Sequence, residues 1–299
     1  MTFPAKIGID GGGSKTECLL VDAAGVVRAR HLAPGSNPSI VGPEQARLIV
    51  TDALCALIAA QPAEITATAL YMAGNRPFWQ EFASSLTGFG RVSSADDSLP
   101  VLELATDGHP GLVLHSGTGS FVAARDREGG IHYAGGLGWR FGDPGSGYDL
   151  GRRAIGRALL EIQGWAPLSR LAATVRDHAH LGPTAESGAL TRYFYGDPTP
   201  NQKIAALAPA VLRLAAEGDY TAHLLILESA GELLDLAARV AAKLFPETPA
   251  DELRVGLSGP ILTHPVVLAA LTPRSPLPLL PVTGTPIEGV RRLLMRSTV

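Results

Sequence analysis

The sequence predicts an α/β fold built from two lobes, and three observations lead to that prediction. A glycine-rich turn between short apolar strands occurs twice, as GGGSK at 11–15 and SGTGS at 116–120. Each turn opens a three-stranded meander, and such internal similarity points to two related lobes. Strands and helices alternate after the first meander, which is typical of an α/β layer. A chain of 299 residues suits two domains of ordinary size. We expect an N-terminal lobe at 1–110 and a C-terminal lobe at 111–299.

The individual elements follow from hydrophobic periodicity and turn residues. In the first lobe, strands are predicted at 6–10, 17–22, 26–32, 66–72 and 91–95, with helices at 43–60 and 77–86. In the second lobe, strands are predicted at 111–115, 121–125, from 131 onward and at 252–257. Helices of that lobe are predicted at 146–163, 203–217, 220–244 and 285–295.

Composition excludes several classes of protein. Hydrophobic residues make up 46% and charged residues 18%, so a packed core rather than disorder is expected. The net charge is −3 and no block of like charges occurs, which argues against a nucleic-acid partner. Cys18 and Cys55 have neither metal-site nor disulfide-framework spacing. No signal-peptide pattern and no run of about 20 apolar residues is present. We therefore expect a soluble cytoplasmic protein that does not enter membranes.

The first glycine-rich turn has the residues of a phosphate site. Consecutive glycines at Gly11, Gly12 and Gly13 allow backbone N–H groups to converge on an anion. Asp10, at the carboxyl end of its strand, can hold Mg²⁺ directly or through water. A hydroxyl at Ser14 can join the phosphate contact. A Walker A loop is excluded because a strand, not a helix, follows.

Lys15 belongs to the same predicted cofactor site, although its side chain could face either the phosphates or solvent. A plain hairpin turn is the alternative interpretation of this segment. The second copy favours phosphate binding. Two strands need only a two-residue turn to pair, so a longer turn of glycine and hydroxyl residues that occurs twice is not explained by strand pairing alone. In that copy, Gly117, Thr118, Gly119 and Ser120 supply the same mixture of glycine and hydroxyl residues.

A third segment, 135–148, contains six glycines in fourteen residues and cannot form the interior of a helix or sheet. A ligand-binding loop is expected here, in which Asp143 accepts hydrogen bonds from sugar hydroxyls. Ser146 then begins a helix. A loop that only caps this helix is the alternative.

These motifs together resemble those of the BadF/BadG/BcrA/BcrD-type ATPases, a group that includes N-acetylglucosamine kinases of the sugar kinase/actin superfamily. The resemblance covers essentially the whole chain. Its motifs are KIGIDGGGSKT at 6–16, GSNPSIVG at 35–42, SGTGS at 116–120 and GGLGWRFGDPGSGYDLGRRA at 135–154. It implies a two-lobed actin-like (ribonuclease H-like) fold with a nucleotide and sugar cleft between the lobes. The implied activity is phosphorylation of a small amino sugar, N-acetylglucosamine or glucosamine, by ATP with Mg²⁺.

The resemblance also implies roles for individual residues. Asn37 matches a position that binds sugar hydroxyls, and Gly259 matches the adenosine motif. The sugar loop is matched by Gly136, Leu137, Gly138 and Asp143. The catalytic base should be an acid at the end of the last strand of the first lobe, where both Asp96 and Asp97 stand. Spacing to the next strand favours Asp97, which would also contact the sugar.

Two other functions stay open at this point. One is an activator ATPase of the same family, which drives electron transfer through an iron–sulfur cluster; the positions of the two cysteines argue against a shared cluster loop. The other is a sugar-sensing protein without turnover. The sequence does not name the sugar or the hydroxyl that is phosphorylated, and it leaves a homodimer open.

Overall fold

The computed structural model describes residues 3–296, which form two compact units. The described residues of the first unit are 3–108 and 283–296, and the second unit is His109–Val282. The strands are β1 Pro4–Gly11, β2 Lys15–Asp22, β3 Val27–Pro34, β4 Glu64–Met72, β5 Arg91–Asp96, β6 Gly111–Ser116, β7 Ser120–Arg125, β8 Ile131–Gly135, β9 Arg254–Ser258 and β10 Leu279–Pro281. The helices are α1 Pro38–Val41, α2 Pro43–Ala60, α3 Arg76–Ser85, α4 Ser98–Thr106, α5 Gly147–Ile162, α6 Arg170–His178, α7 Ser187–Tyr195, α8 Pro200–Ala205, α9 Ala208–Ala216, α10 Tyr220–Leu244, α11 Pro265–Leu271 and α12 Pro286–Arg296.

The first unit is built on a five-stranded sheet with the order β3-β2-β1-β4-β5. The meander β1–β3 is antiparallel, whereas β4 and β5 run parallel to β1. Gly11 lies beside Met72, and Met72 lies beside Asp96. The carboxyl ends of three parallel strands therefore reach one edge of the sheet, which is where ligands bind in α/β sheets.

The second unit repeats this plan. Its sheet has the order β10-β9-β6-β7-β8, with an antiparallel meander β6–β8 and parallel strands β9 and β10. The two meanders predicted from sequence are thus confirmed, and so is the α/β class.

Helices cover both faces of the first sheet. Side chains of β2, which point to alternate faces, are therefore buried on both sides. Cys18 and Leu20 belong to the core that contains residues of α2, whereas Leu19 and Val21 pack with residues of α12. A side chain at Gly8 would lie 2.3 Å from Val290, so the glycine allows α12 to pack directly on β1.

The C-terminal helix α12 therefore packs on the first unit, whereas the sequence analysis grouped all of 111–299 in the second lobe. Its contacts with α4 explain this placement. A Cβ at Gly289 would lie 2.0 Å from the carbonyl oxygen of Pro100. Arg296 forms ion pairs with the buried Glu103 and with Asp107, both at 2.6 Å. The amphipathic pattern of α12 predicts a helix but does not specify which sheet it covers.

One predicted helix is divided in the structure. The segment 203–217 forms the end of α8 and then α9, with Pro209 in the first turn of α9. Proline lacks the N–H that would continue the preceding helix. Within residues 3–296, no helix is long and apolar enough to cross a membrane.

Candidate active site

The first glycine-rich turn joins β1 to β2 and presents unpaired backbone amides. The Gly12 amide donates to Lys15 O at 2.9 Å, and Gly12 O accepts from the Ser36 amide at 3.0 Å. Within the described chain, the amides of Gly13 and Ser14 donate to no protein acceptor, and both residues are at least partly accessible. Two consecutive free amides are the arrangement that binds an anion.

A second layer of residues supports this turn. A Cβ at Gly35 would lie 2.2 Å from Gly13 O, so the two backbones approach closely. The buried hydroxyls of Thr16 and Ser36 are joined by a hydrogen bond of 2.8 Å. Thr16 and Ser36 were not among the predicted site residues. A buried pair of hydroxyls separated by 20 residues leaves no short-range signal in the sequence.

Asp10 and Asp97 are brought close enough to influence each other's charge. The pKa of Asp10 is raised to about 7, mainly by burial and in part by the charges of Asp97 and Glu17, while Lys15 acts in the opposite direction. Burial also raises the pKa of Asp97 to about 6, with a contribution from Asp96. Perturbed carboxyls at the carboxyl ends of strands are typical of functional sites.

The adjacent acids Asp96 and Asp97 differ in their surroundings. Asp96 is the last residue of β5, and its carboxylate lies 3.9 Å from the guanidinium of Arg76. Asp97 stands at the N-terminal end of α4 and has no ion-pair partner within residues 3–296. The third acid of this region, Asp107, ends α4 in a left-handed conformation and pairs with Arg296. Of the three, Asp97 is the carboxylate that stays available to a ligand.

Asn37 lies between β3 and α1, and its amide oxygen accepts from the Ser39 amide at 3.0 Å. The same oxygen would be 2.5 Å from a Cβ at Gly74, which has a φ of +95°. Gly74 follows the end of β4, so Asn37 lies near the strand edge that carries Asp97. Its side-chain amino group donates to no described residue and remains free for a ligand.

Lys15 begins β2, and its side chain has an ion-pair partner on the same strand. Its ammonium pairs with Glu17 at 2.6 Å, and 54% of its side chain is exposed. Residues at i and i+2 of a strand share a face, which accounts for this pair.

The second glycine-rich turn joins β6 to β7 and repeats the free-amide pattern. The Gly117 amide donates to Gly119 O at 2.9 Å. The amides of Thr118 and Gly119 have no protein acceptor within 3–296, and the Thr118 side chain is exposed. Each glycine-rich turn thus offers two consecutive amides to an anion.

The hydroxyls beside this turn donate to the loop 135–146 rather than pointing into the turn. Ser116 Oγ donates to Gly145 O at 2.5 Å, and Ser120 Oγ donates to Pro144 O at 2.7 Å. The Gly147 amide, at the start of α5, donates to Gly117 O at 2.8 Å. The turn and the loop that leads into α5 therefore form one unit. Ser116 and Gly147 are positioning residues that the sequence analysis missed.

Asp143 connects the loop 135–146 to the second glycine-rich turn. The residue is 6% exposed. Its backbone is left-handed, with a φ of 68°. Oδ1 accepts from the Gly138 amide at 3.2 Å, and Oδ2 faces Gly119. Burial raises the pKa of Asp143, and the charge of Asp149 adds to that effect. The predicted sugar contact is thus within the loop, with one oxygen already used by Gly138.

The other predicted loop residues differ in exposure. Gly136 donates its amide to Ser120 O at 3.1 Å, which fixes the start of the loop. Leu137 is 70% exposed, and Gly138 has a φ of +86° with no atom within 4 Å of the position that a Cβ would occupy. This part of the loop is open to a ligand.

Gly259 lies directly against the second turn. It has a φ of +86°, and a Cβ there would be 2.1 Å from Ser116 O. The Ile261 amide donates to the same oxygen at 3.4 Å. The predicted adenosine motif and phosphate turn are therefore adjacent in the second unit.

His115, in β6 beside the second glycine-rich turn, has packing and hydrogen-bond partners within the protein. Its ring stacks on Phe121 at 5.0 Å, and Nδ1 lies 3.2 Å from Ser258 Oγ. Burial lowers the pKa of His115 to about 4, so the ring stays neutral near pH 7.

Asp149 is a further positioning residue that the sequence analysis missed. It is buried in the first turn of α5 and accepts from Arg152, Arg153 and Ser229 at 2.8, 2.8 and 2.7 Å. These hydrogen bonds outweigh burial and lower its pKa. The spacing of DLGRR places both arginines within reach on one helix face, which is a signal that could have been used.

Comparisons with known proteins find relatives over most of the chain. A model of the BadF/BadG/BcrA/BcrD ATPase family matches residues 7–273. An N-acetyl-D-glucosamine kinase of Dictyostelium discoideum is 30% identical over 256 residues, covering 80% of this chain and 79% of the relative. An N-acetylmuramic acid/N-acetylglucosamine kinase of Clostridium acetobutylicum is 27% identical over 235 residues, covering 76% of each. The solved structure of a candidate N-acetylglucosamine kinase from Chromobacterium violaceum has a TM-score of 0.77 and 29% identity, covering 98% of this chain and 99% of that one. The actin-like fold is confirmed by this likeness.

Proposed function

This chain belongs to the BadF/BadG/BcrA/BcrD ATPase family, and we propose that it is an ATP-dependent kinase of an amino sugar of the N-acetylglucosamine type. One observation carries the proposal. Both glycine-rich turns present two consecutive unpaired amides, at Gly13–Ser14 and at Thr118–Gly119. A nucleotide triphosphate offers several anionic oxygens, and paired amide sites match that demand.

The adenosine and sugar contacts in this proposal come from residues of both units. Gly259, packed on Ser116, provides a surface without a side chain for the adenosine. Gly138 and Asp143 orient the sugar in the second unit, and Asn37 donates its free side-chain amide to a sugar hydroxyl.

The residues around Asp10 fit Mg²⁺. Within 3–296, no group of three or more His, Cys, Asp or Glu side chains could hold a metal alone. In nucleotide sites, however, Mg²⁺ is bound by one or two carboxylates together with phosphates and water. Repulsion from the Asp97 and Glu17 carboxylates helps to raise the pKa of Asp10 to about 7. A bound dication would relieve this repulsion. Bound there, the ion would neutralise phosphate charge.

Asp97 acts as the general base in this proposal. It accepts the proton of the attacking sugar hydroxyl as the oxygen bonds to the γ-phosphorus and the bond to ADP breaks. Phosphoryl transfer depends mainly on positioning and charge stabilisation. A carboxyl with a pKa of about 6 is mostly ionised at neutral pH and still basic enough to take the proton.

A coupled assay of ADP release tests the proposal. We expect release to depend on an added sugar, with N-acetylglucosamine and glucosamine among the acceptors in a panel of neutral and amino sugars. Release at the same rate without sugar would instead indicate the activator type of ATPase. Binding of sugar without any ADP release would indicate a sugar-sensing protein.

A further inference from the structure

The ring of His115 lies beside the second glycine-rich turn, in an orientation that its neighbours fix. His115 is the penultimate residue of β6, and residues at i and i+2 of an extended chain share a face, so its side chain lies on the side of Gly117. A Cβ at Gly117 would lie 3.7 Å from Nε2 of the ring. Stacking on Phe121 and the contact of Nδ1 with Ser258 Oγ hold the ring in place. The nitrogen Nε2 therefore faces the turn.

This nitrogen is a polar atom that the protein leaves unused. Among residues 3–296, Nε2 of His115 exchanges no hydrogen bond with a protein group, and the atom is not sealed off from the surface. The preceding residues of β6, at 111–114, are apolar. An imidazole at the end of such a strand costs free energy unless both of its nitrogens find partners. A ligand is the partner that the structure leaves for Nε2.

The ring is neutral near pH 7, and Ser258 allows its proton to be on either nitrogen. Burial lowers the pKa of His115 to about 4. A hydroxyl both donates and accepts, so it can pair with either tautomer of the imidazole. When Ser258 Oγ–H donates to Nδ1, the ring proton is on Nε2, and the ring presents an N–H to the turn. That donor joins the amides of Thr118 and Gly119, which have no protein acceptor within 3–296.

We propose that His115 is a nucleotide-binding residue, which donates Nε2–H to a phosphate oxygen held at the second glycine-rich turn, with Ser258 as the positioning residue that sets its tautomer. This inference rests on the proposed ATP-dependent function. Two backbone N–H groups and one ring N–H then converge on one anion. A neutral imidazole adds a directed hydrogen bond without adding a charge, so it selects the position of the phosphate oxygen that the turn already defines.

Three ligands separate the parts of the nucleotide, namely ATP, inorganic tripolyphosphate and adenosine. Calorimetry with Mg²⁺ would measure the affinity of each for the wild type, His115→Leu, His115→Gln and Ser258→Ala. Leucine keeps an apolar side chain at position 115 and removes both nitrogens, whereas glutamine brings an amide N–H near the place of Nε2. His223→Leu, at a half-buried histidine of α10, serves as the matched control. Urea denaturation without ligand would measure the free energy of unfolding of each variant.

The expected loss is selective for phosphate. His115→Leu weakens binding of ATP and of tripolyphosphate by about tenfold, as for loss of a hydrogen bond to a charged group, and leaves adenosine binding unchanged. His115→Gln retains part of the affinity, Ser258→Ala loses less than His115→Leu because the ring stays stacked on Phe121, and His223→Leu has no effect. Histidine ¹⁵N NMR gives a readout that packing alone does not move. In the ATP complex, the His115 proton is on Nε2, and the signal is assigned by its absence from His115→Leu.

Several results would overturn the inference. One is an unchanged affinity of His115→Leu for ATP and tripolyphosphate, and another is an equal loss for all three ligands, which would assign the ring a packing role. A loss confined to adenosine would assign it to the nucleoside, and a proton on Nδ1 in the ATP complex would remove the donor. If His115→Leu does not fold, His115→Gln and the NMR measurement decide. If ATP binds but no sugar is phosphorylated, the proposed kinase function fails and the binding measurements still decide this inference, whereas a wild type that binds no ATP refutes both.

Discussion

Replacing Asp97 with asparagine tests the proposed base. It should change two quantities, kcat and the free energy of unfolding, in opposite directions. With a pKa of about 6, about nine-tenths of the Asp97 carboxyls are ionised at pH 7. Asp97→Asn keeps the shape of the side chain but cannot accept a proton. Loss of a general base lowers kcat by roughly 10²–10⁴-fold, which corresponds to about 3–5 kcal/mol of barrier.

The same change should stabilise the protein. The native pKa of Asp97 lies above its ordinary value of 3.8, so protons bind the native state more tightly than the unfolded state. The contribution of this group to stability is present below about pH 4 and is lost as pH rises through about 6. At pH 7, the Asp97→Asn change removes a buried charge, and the free energy of unfolding should rise by on the order of 1 kcal/mol.

The assay combines steady-state kinetics, calorimetric ATP affinity and chemical denaturation at pH 7. Asp96→Asn is the matched control, because it removes an accessible ion pair with Arg76, at 3.9 Å, and one of the charges that raise the pKa of Asp97, but not the Asp97 carboxylate itself. Such a pair contributes about 0–1 kcal/mol, so kcat should fall less than about fivefold. If Asp96→Asn is the inactive variant, the base is the other acid. An Asp97→Asn protein that keeps full activity, or that loses both activity and stability, contradicts the reasoning.

Three further predictions concern the second unit. Gly259→Ala should raise the KM for ATP and lower the free energy of unfolding by more than about 2 kcal/mol, because the new Cβ would lie 2.1 Å from Ser116 O at a φ of +86°. Asp149→Asn should cost roughly 3 kcal/mol of stability at pH 7, measured by urea denaturation, since it leaves a buried ion-pair network incomplete. The wild type should lose its stability advantage over Asp149→Asn as pH falls through the native pKa of Asp149, which lies below 3.8. Leu137→Trp should raise kcat/KM for N-acetylglucosamine relative to glucosamine by about fourfold, as for burial of one methyl group.

Each of these changes has a control or a clear contradiction. Gly218→Ala has a similar φ of +88° but open space around the new Cβ, so it should cost only the left-handed strain. Equal effects of the two glycine changes would remove the argument from close packing. A stability gap between wild type and Asp149→Asn that is unchanged at about pH 3 would show that ionisation is not its source. An unchanged sugar ratio in an active Leu137→Trp protein would remove Leu137 from the sugar site.

Much of the fold could be predicted because its signals are local. Both meanders follow from short apolar strands around glycine-rich turns, and Ser146 begins α5 as expected, with its hydroxyl accepting from the Asp149 amide at 3.0 Å. The return of α12 to the first unit could not be predicted, because an amphipathic helix fits any apolar sheet face. It depends on small residues far apart in sequence, Gly8 and Gly289.

For the candidate site, the sequence predicts individual residues but not the residues that contact them. Residue types after recognisable strands predict Asp10 and both turns as site residues, and the family resemblance together with spacing predicts Asp97; these roles stay predictions. The partners of these residues were not predictable, because they come from distant segments. Ser120, expected at the phosphates, donates its hydroxyl to Pro144 O instead. Lys15 is the exception, since strand alternation alone places it beside Glu17.

Direct observation of the transferred phosphoryl group tests the central claim most directly. Purified protein, ATP, Mg²⁺ and N-acetylglucosamine would be followed together by ³¹P NMR and by mass spectrometry of the sugar. The account predicts one phosphorylated sugar for each ADP formed, with the Asp97→Asn protein making neither at a comparable rate. ADP accompanied by inorganic phosphate and an unmodified sugar would contradict it.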